Sequence, residues 1–547
     1  MSGFRRLLAA ALVCGVLVAQ NAAAHTITVD GSASDWLGVT GPIADLGRIA
    51  RDSVDGGEYV WRDAIGDARA AWFARPHDLR ELRVTGDATN LYVMAVLASP
   101  VATLGDSTPQ LQVALDLDRF NGSGGTAFLG GAATATASNA AYELLVQTRF
   151  GSGQAPRLVD ASGNDVTAAT SGRISASGVI ELAIPWTALG SPSPASNPVR
   201  FTAALLLGGA ADAPYDPDDG VTSRAADVVT QNSGPGTTGT TAAEVADGTI
   251  DYWFDVYFDA RGDAIAPVVV NEVWFSGGIK SQWIEIVNAS QNLVPLASFK
   301  VGDAATPNNG GSMSQLPGVL LSPGDAFVLA RNGATFYANN GFRAGAEAES
   351  SDPATPDLMT DYGWASTTLF NISASGADIL VLDGCNTVVD VLTFKNATGW
   401  PGVKSHPGVQ ANHSLGRGRP DVDTDNCAAD FVDEPVPSPG VSLPLAAVRD
   451  AAVAGTLRWA PPTPNPTAGT VALSLHLDRA MRLRVDVLDL AGRRLRTLAR
   501  NDEHYPGEFR LSWDGRDERG VRVGTGLYFI RARTPLGSRT VRVEIVR

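Results

Sequence analysis

Between Thr249 and Asp259 the residue types alternate strictly. Ile250, Tyr252, Phe254, Val256 and Phe258 fall on one side of an extended chain, and Asp251, Trp253, Asp255, Tyr257 and Asp259 on the other. Rings flanked by carboxylates suit sugars, whose C–H faces stack on the rings and whose hydroxyls hydrogen-bond. Trp253, Tyr257, Asp251 and Asp255 are therefore the candidate ligand-binding residues. The plainer reading is that a neighbouring loop covers Trp253 and Tyr257.

A second group, Asp116, Asp118 and Asn121, gathers oxygen ligands at a strand end and could hold Ca²⁺. No acid closes an EF-hand loop behind it, so a solvated Asx turn competes with that reading. Asp421, Asp423, Asp425 and Asn426 mimic the start of a calcium loop but lack its turn glycine, with Cys427 in the following place. The common enzyme signatures are missing: there is no Gly-x-Ser-x-Gly elbow, no His-Glu-x-x-His and no phosphate loop. His406 and His413 sit in a Gly/Pro loop beside no nucleophile pattern. A glycosidase carboxylate pair remains compatible with so many acids.

The elements that must position these groups are short strands. Leu111, Val113, Leu115 and Leu117 alternate with Gln112, Ala114, Asp116 and Asp118, and Val471 to Leu477 repeats the pattern. Short helices are expected only at Ala64–Ala74, Pro185–Leu189 and Asn332–Asn339. With 547 residues, 58 Gly and 32 Pro, the chain reads as all-β: three tandem β-sandwich domains, Ig-like or jelly-roll-like, joined by linkers.

Residues 1–24 read as a secretory signal, with Arg5 and Arg6 before an apolar stretch of thirteen residues and Ala22-Ala23-Ala24 behind it. Thirteen residues are too few to cross a bilayer, and no later stretch is long enough to be a transmembrane segment. Export then leaves Cys385 and Cys427 with one available pairing, and a disulfide between them would stabilise by about 4 kcal/mol. Residues 25–456 carry a net charge of −25, and 457–547, with 17 Arg, a net charge of +7. The acidic body argues against a nucleic-acid partner.

The block 25–262 contains Asp30-Gly31…Asp35-Trp36, Glu58-Tyr59-Val60-Trp61-Arg62-Asp63, Gly66-Asp67 and Asp87 to Tyr92. With Asp116-Leu117-Asp118 and Ile184-Pro185-Trp186, these pieces resemble sandwich modules related to family-nine carbohydrate-binding modules. The block 265–435 contains Val268 to Val273, Gln282 to Asn288, Leu321 to Ala330, Ser375 to Gly384 and an ending from Ser414 to Phe431. It is similar to a lamin-tail domain, which implies an Ig-like sandwich with an interaction role. A Pro/Ala-rich spacer is expected over 436–456. The block 457–547, with Asp489-Leu490-Ala491-Gly492, Trp513-Asp514-Gly515 and Gly526-Leu527-Tyr528-Phe529, resembles hook-scaffold Ig-like and type IX secretion sorting domains. That likeness implies secretion machinery or a surface attachment as its partner. Taken together, the expectation is a non-catalytic exported protein, extracellular or on a bacterial cell surface, with a glycan as partner. A secreted carboxylate-dependent hydrolase and a purely structural envelope component are the competing classes.

Overall fold

The computed structural model describes residues 26–546 except 39–43, 53–55, 69–77, 102–108, 120, 130–133, 149–155, 167–169, 191–193, 197, 208–224, 231–243, 245–247, 309, 398–399, 420–421, 441–456, 460–461, 478–480, 490–492, 505–506 and 535–536. The secretory segment 1–24 lies outside them. The chain is all-β, as the alternation predicts. Its described α-helices are two short ones, Gly333–Asn340 and Cys427–Asp430. The first forms where expected, because the Asn332 side-chain Oδ1 accepts the Thr335 N–H at 2.9 Å as an N-cap and Gly341 ends it at φ 78°. Pro185 instead ends the Val179–Pro185 strand and Trp186–Leu189 form a turn, while the described residues 64–68 are non-helical, with a turn at Ile65 and Gly66.

The Leu46–Arg51 strand is the joint of the molecule. On one edge it pairs antiparallel with Gly57–Arg62, and on the other Arg48 forms a parallel bridge with Val388. One eleven-stranded sheet therefore runs from the 265–435 block into the 25–262 block, with Gly376–Asp383 and Val388–Lys395 on one side of the joint and Gly57–Arg62, Leu79–Gly86 and Asn90–Leu97 on the other. A seven-stranded sheet containing Pro109–Asp116, Val199–Leu207 and Phe254–Phe258 packs against its N-terminal half. There Tyr59 stacks on Phe254 with ring centroids 4.0 Å apart. A six-stranded sheet built on Val268–Trp274 and Trp283–Asn288 covers the other half, where Phe275 stacks on Phe394 at 4.9 Å. Ile49, Trp61, Phe254, Val269, Ile286 and Phe394 belong to one hydrophobic cluster spanning both blocks.

Polar contacts reinforce the joint. Asp425 forms an ion pair with Arg48 and accepts the Arg51 backbone N–H at 2.9 Å, while Arg48 donates to the Pro401 carbonyl at 2.7 Å. Asp423 lies 3.6 Å from Arg417. The described acids of the calcium-like run thus meet arginines.

Part of the expected spacer is docked. Ser438 donates through both its backbone N–H and its hydroxyl to Glu272, and the Gly440 N–H donates to Glu285 at 2.5 Å. Both glutamates are buried. The block 457–547 has its own core, with Val471, Leu475, Val485, Trp513, Ile530 and Val543. It touches the middle block where Leu488 and Phe529 meet Leu320.

Candidate ligand-binding cavity

The 250–258 alternation holds in three dimensions. Ile250, Tyr252, Phe254, Val256 and Phe258 are buried in the core, and the opposite face of Phe254–Phe258 looks into a cavity of about 260 Å³. Trp253, Asp255 and Tyr257 line it. Asp251 is outside the lining, its N–H donating to Glu244 at 2.6 Å.

Strand register supplies groups that sequence reasoning missed. Val199–Leu207 lies between Phe254–Phe258 and Pro109–Asp116, and it sets Arg200 opposite Asp255 on one edge and Asp116 on the other. The Arg200 guanidinium donates to both Asp255 oxygens, at 2.8 and 3.0 Å, and sits 5.0 Å from the Trp253 ring centroid. Arg119 is 6.0 Å from the Tyr257 ring centroid and 3.6 Å from Asp255. The far wall comes from the middle block, with Ser298, Phe299, Asp383 and Cys385. The expected aromatic–acid face is thus an aromatic–arginine–acid face, closed by a second sheet. Nothing local in the sequence ties Arg119, Arg200 or Asp383 to Trp253, because only long-range pairing brings them together.

The charges are graded across the cavity. Burial pushes the Asp255 carboxyl up, but the Arg200 and Arg119 guanidiniums outweigh it and hold it below the usual range, so it stays ionised. Burial and the nearby Asp255 charge push Asp383 up to about 7. Burial likewise raises Asp116 to about 7, against the opposing Arg119 N–H and Arg200 charge. Near neutral pH the cavity offers fixed donors on one wall and an acid that readily takes a proton on the other.

The strand-end group gathers differently from expectation. Asp116 and Asp118 each place a carboxylate oxygen with one of Glu143, all within 4.8 Å of one another, while Asn121 is exposed on the turn. Asp116 Oδ1 accepts the Arg119 N–H at 2.6 Å, completing the Asx turn, and its buried Oδ2 meets no donor.

The expected disulfide is absent, and both cysteines are free. Cys385 sits in the turn before Val388–Lys395 and lines the cavity. The Cys427 Sγ is 3.5 Å from the Thr393 N and the Val391 O, three to five residues further along that strand. That is roughly 10–17 Å of extended chain, beyond disulfide reach. Burial raises both thiols, Cys427 to about 12. Of the two loop histidines, His413 pairs with Asp433 at 2.9 Å and His406 is buried, its Nδ1 accepting the Gly408 N–H.

No family model matches the chain, and no curated protein matches it. Among solved structures it is similar to a DUF4876 family protein from Bacteroides thetaiotaomicron, at 11% identity over 46% of this chain and 85% of that one, with a TM-score of 0.25. It is also similar to dimeric latent PorU from Porphyromonas gingivalis, at 10% identity over 84% of this chain and 32% of that one, with a TM-score of 0.15. A third is PorZ, a surface component of the type IX secretion system of the same organism, at 10% identity over 92% and 70%, with a TM-score of 0.13. Superpositions at these scores assign neither a family nor an activity. No helix among the described residues is long and apolar enough to cross a membrane.

Proposed function

We propose that this chain is a non-catalytic, exported surface protein whose cavity takes one residue of a glycan. The carrying observation is the convergence of Trp253, Tyr257, Asp255, Arg119 and Arg200 on one cavity of about 260 Å³, large enough for a single sugar ring or its edge. Ring edges would supply apolar contact, the guanidiniums would donate to hydroxyls, and Asp255 and Asp383 would accept from them. Export rests on the signal-like segment 1–24. In this reading the lamin-tail-like block supplies the second wall, and the sorting-like block 457–547 engages secretion or attachment machinery.

A glycan array probed with the full chain, followed by titration calorimetry on the strongest hit, tests the reading. Trp253→Ala and Tyr257→Ala should each remove about 1–3 kcal/mol of affinity. Folded variants with unchanged affinity would make the rings structural only, and release of new reducing ends would move the protein to the hydrolase class.

A further inference from the structure

A second acidic group lies apart from the cavity and is assembled by topology. Asp63 follows the Gly57–Arg62 strand, Asp67 is in the next turn, Asp78 precedes Leu79–Gly86, and Asp227 belongs to a short strand paired to Val199–Leu207. One carboxylate oxygen of each lies within 4.8 Å of all the others.

The group is built into the backbone. Asp78 accepts the Gly66 N–H at 3.0 and 3.1 Å, Asp227 accepts the Leu79 N–H at 2.6 Å and the Val228 N–H at 2.9 Å, and Asp63 Oδ1 accepts the Ala64 N–H at 2.8 Å. The second Asp63 oxygen, Oδ2, is buried without a hydrogen-bond donor, on a residue only 1% exposed. An orphaned buried carboxylate oxygen facing three more carboxylates is strongly unfavourable unless a proton or a cation joins them. Burial and the charges of Asp227, Asp67 and Asp45 raise the Asp63 carboxyl, so a proton shared with Asp227 is the alternative to a metal.

We propose that Asp63, Asp67, Asp78 and Asp227 bind one Ca²⁺ ion that clips the ends of the Gly57–Arg62 and Leu79–Gly86 strands to the Asp227 strand of the opposite sheet. The donor set is all hard oxygen and comes from four carboxylates on separate segments, which suits the flexible all-oxygen coordination of Ca²⁺ better than Mg²⁺, which keeps several waters and demands near-ideal octahedral geometry. Asp67 lies in a turn and is half-buried, which leaves a path for ion entry and for completing water ligands.

The test uses the full chain stripped with chelator at pH 7.5, with Ca²⁺ alone as probe. Thermal melting and equilibrium dialysis should show a rise in Tm of a few degrees and uptake of an ion. Both should persist in Asp118→Asn, which disables the Asp116 group, and vanish in Asp63→Asn. That isosteric amide should leave the metal-free Tm near the wild-type value, because it donates to Asp227 as the protonated Asp63 carboxyl does. A wild-type chain whose Tm and uptake ignore Ca²⁺ would overturn the proposal in favour of a shared proton. So would a response that survives Asp63→Asn, or one lost in Asp118→Asn, which would place the ion at Asp116. Should Asp63→Asn fail to fold, Asp67→Asn carries the same comparison.

Discussion

Arg200 holds both oxygens of Asp255, at 2.8 and 3.0 Å, while its guanidinium sits 5.0 Å from the Trp253 ring centroid. One side chain therefore fixes both the acid and the ring that face the cavity. Arg200→Lys keeps the charge but cannot form the fork or cover the ring. It should lower unfolding free energy by about 1–3 kcal/mol in urea titrations and weaken glycan binding. Wild-type values for both would show that the fork organises nothing.

The thiol positions give a chemical check. Unfolded under non-reducing conditions, the chain should take up two alkyl groups by mass spectrometry. In the folded chain Cys385, which is half-buried and lines the cavity, should label before the buried Cys427; burial raises both thiols, so the order reports access. A ligand that enters the cavity should slow Cys385 further. Uptake of no alkyl group by the unfolded chain would restore the disulfide.

Stability should fall as pH rises from about 4.5 to 7. Asp116, Asp383 and Glu285 all have folded-state values near 7, each raised chiefly by burial. Over that window the folded chain keeps protons that the unfolded chain releases, so their contribution is complete below about pH 4 and lost by about pH 7. In chelator, Tm at pH 5 should exceed Tm at pH 8, and Glu285→Gln should shrink the difference. A flat profile, or a higher Tm at pH 8, would count against buried, proton-holding acids.

The docked run around Ser438 predicts where the chain tolerates cutting. A chain ending at 456 keeps the donors to Glu272 and Glu285, whereas one ending at 435 leaves both buried acids short of partners. The shorter form should melt several degrees lower and the longer one near the parent, by calorimetry, less any loss of the Leu320–Phe529 contact. If 457–547 is an attachment domain, the form ending at 456 should also change its location in cell fractions.

Legibility followed sequence distance. The alternation from Ile250 to Phe258 declared its own faces, and Trp253, Asp255 and Tyr257 reached the cavity because period two is a local property. Asp251, just before the Phe254–Phe258 strand, did not reach it, since alternation orients a side chain without saying where the cavity stops. Arg200 and Asp383 were hidden because their roles come from pairings more than fifty residues away. The Asp63 group was half visible, as Asp63 and Asp67 are neighbours while Asp227 arrives by topology. The cysteines show the converse: counting pairings carries no information about separation, and one strand keeps the two apart.

The Arg48–Val388 bridge bears on how such a chain can change over generations. A breakpoint near residue 262, where the sequence invites one, would sever a single sheet, open the hydrophobic cluster shared by Ile49 and Phe394, and halve the cavity. The described residues from 26 to 440 would therefore have to be exchanged as one piece to keep the sheet and core intact. The terminal block, with its separate core, is the part free to be exchanged by recombination.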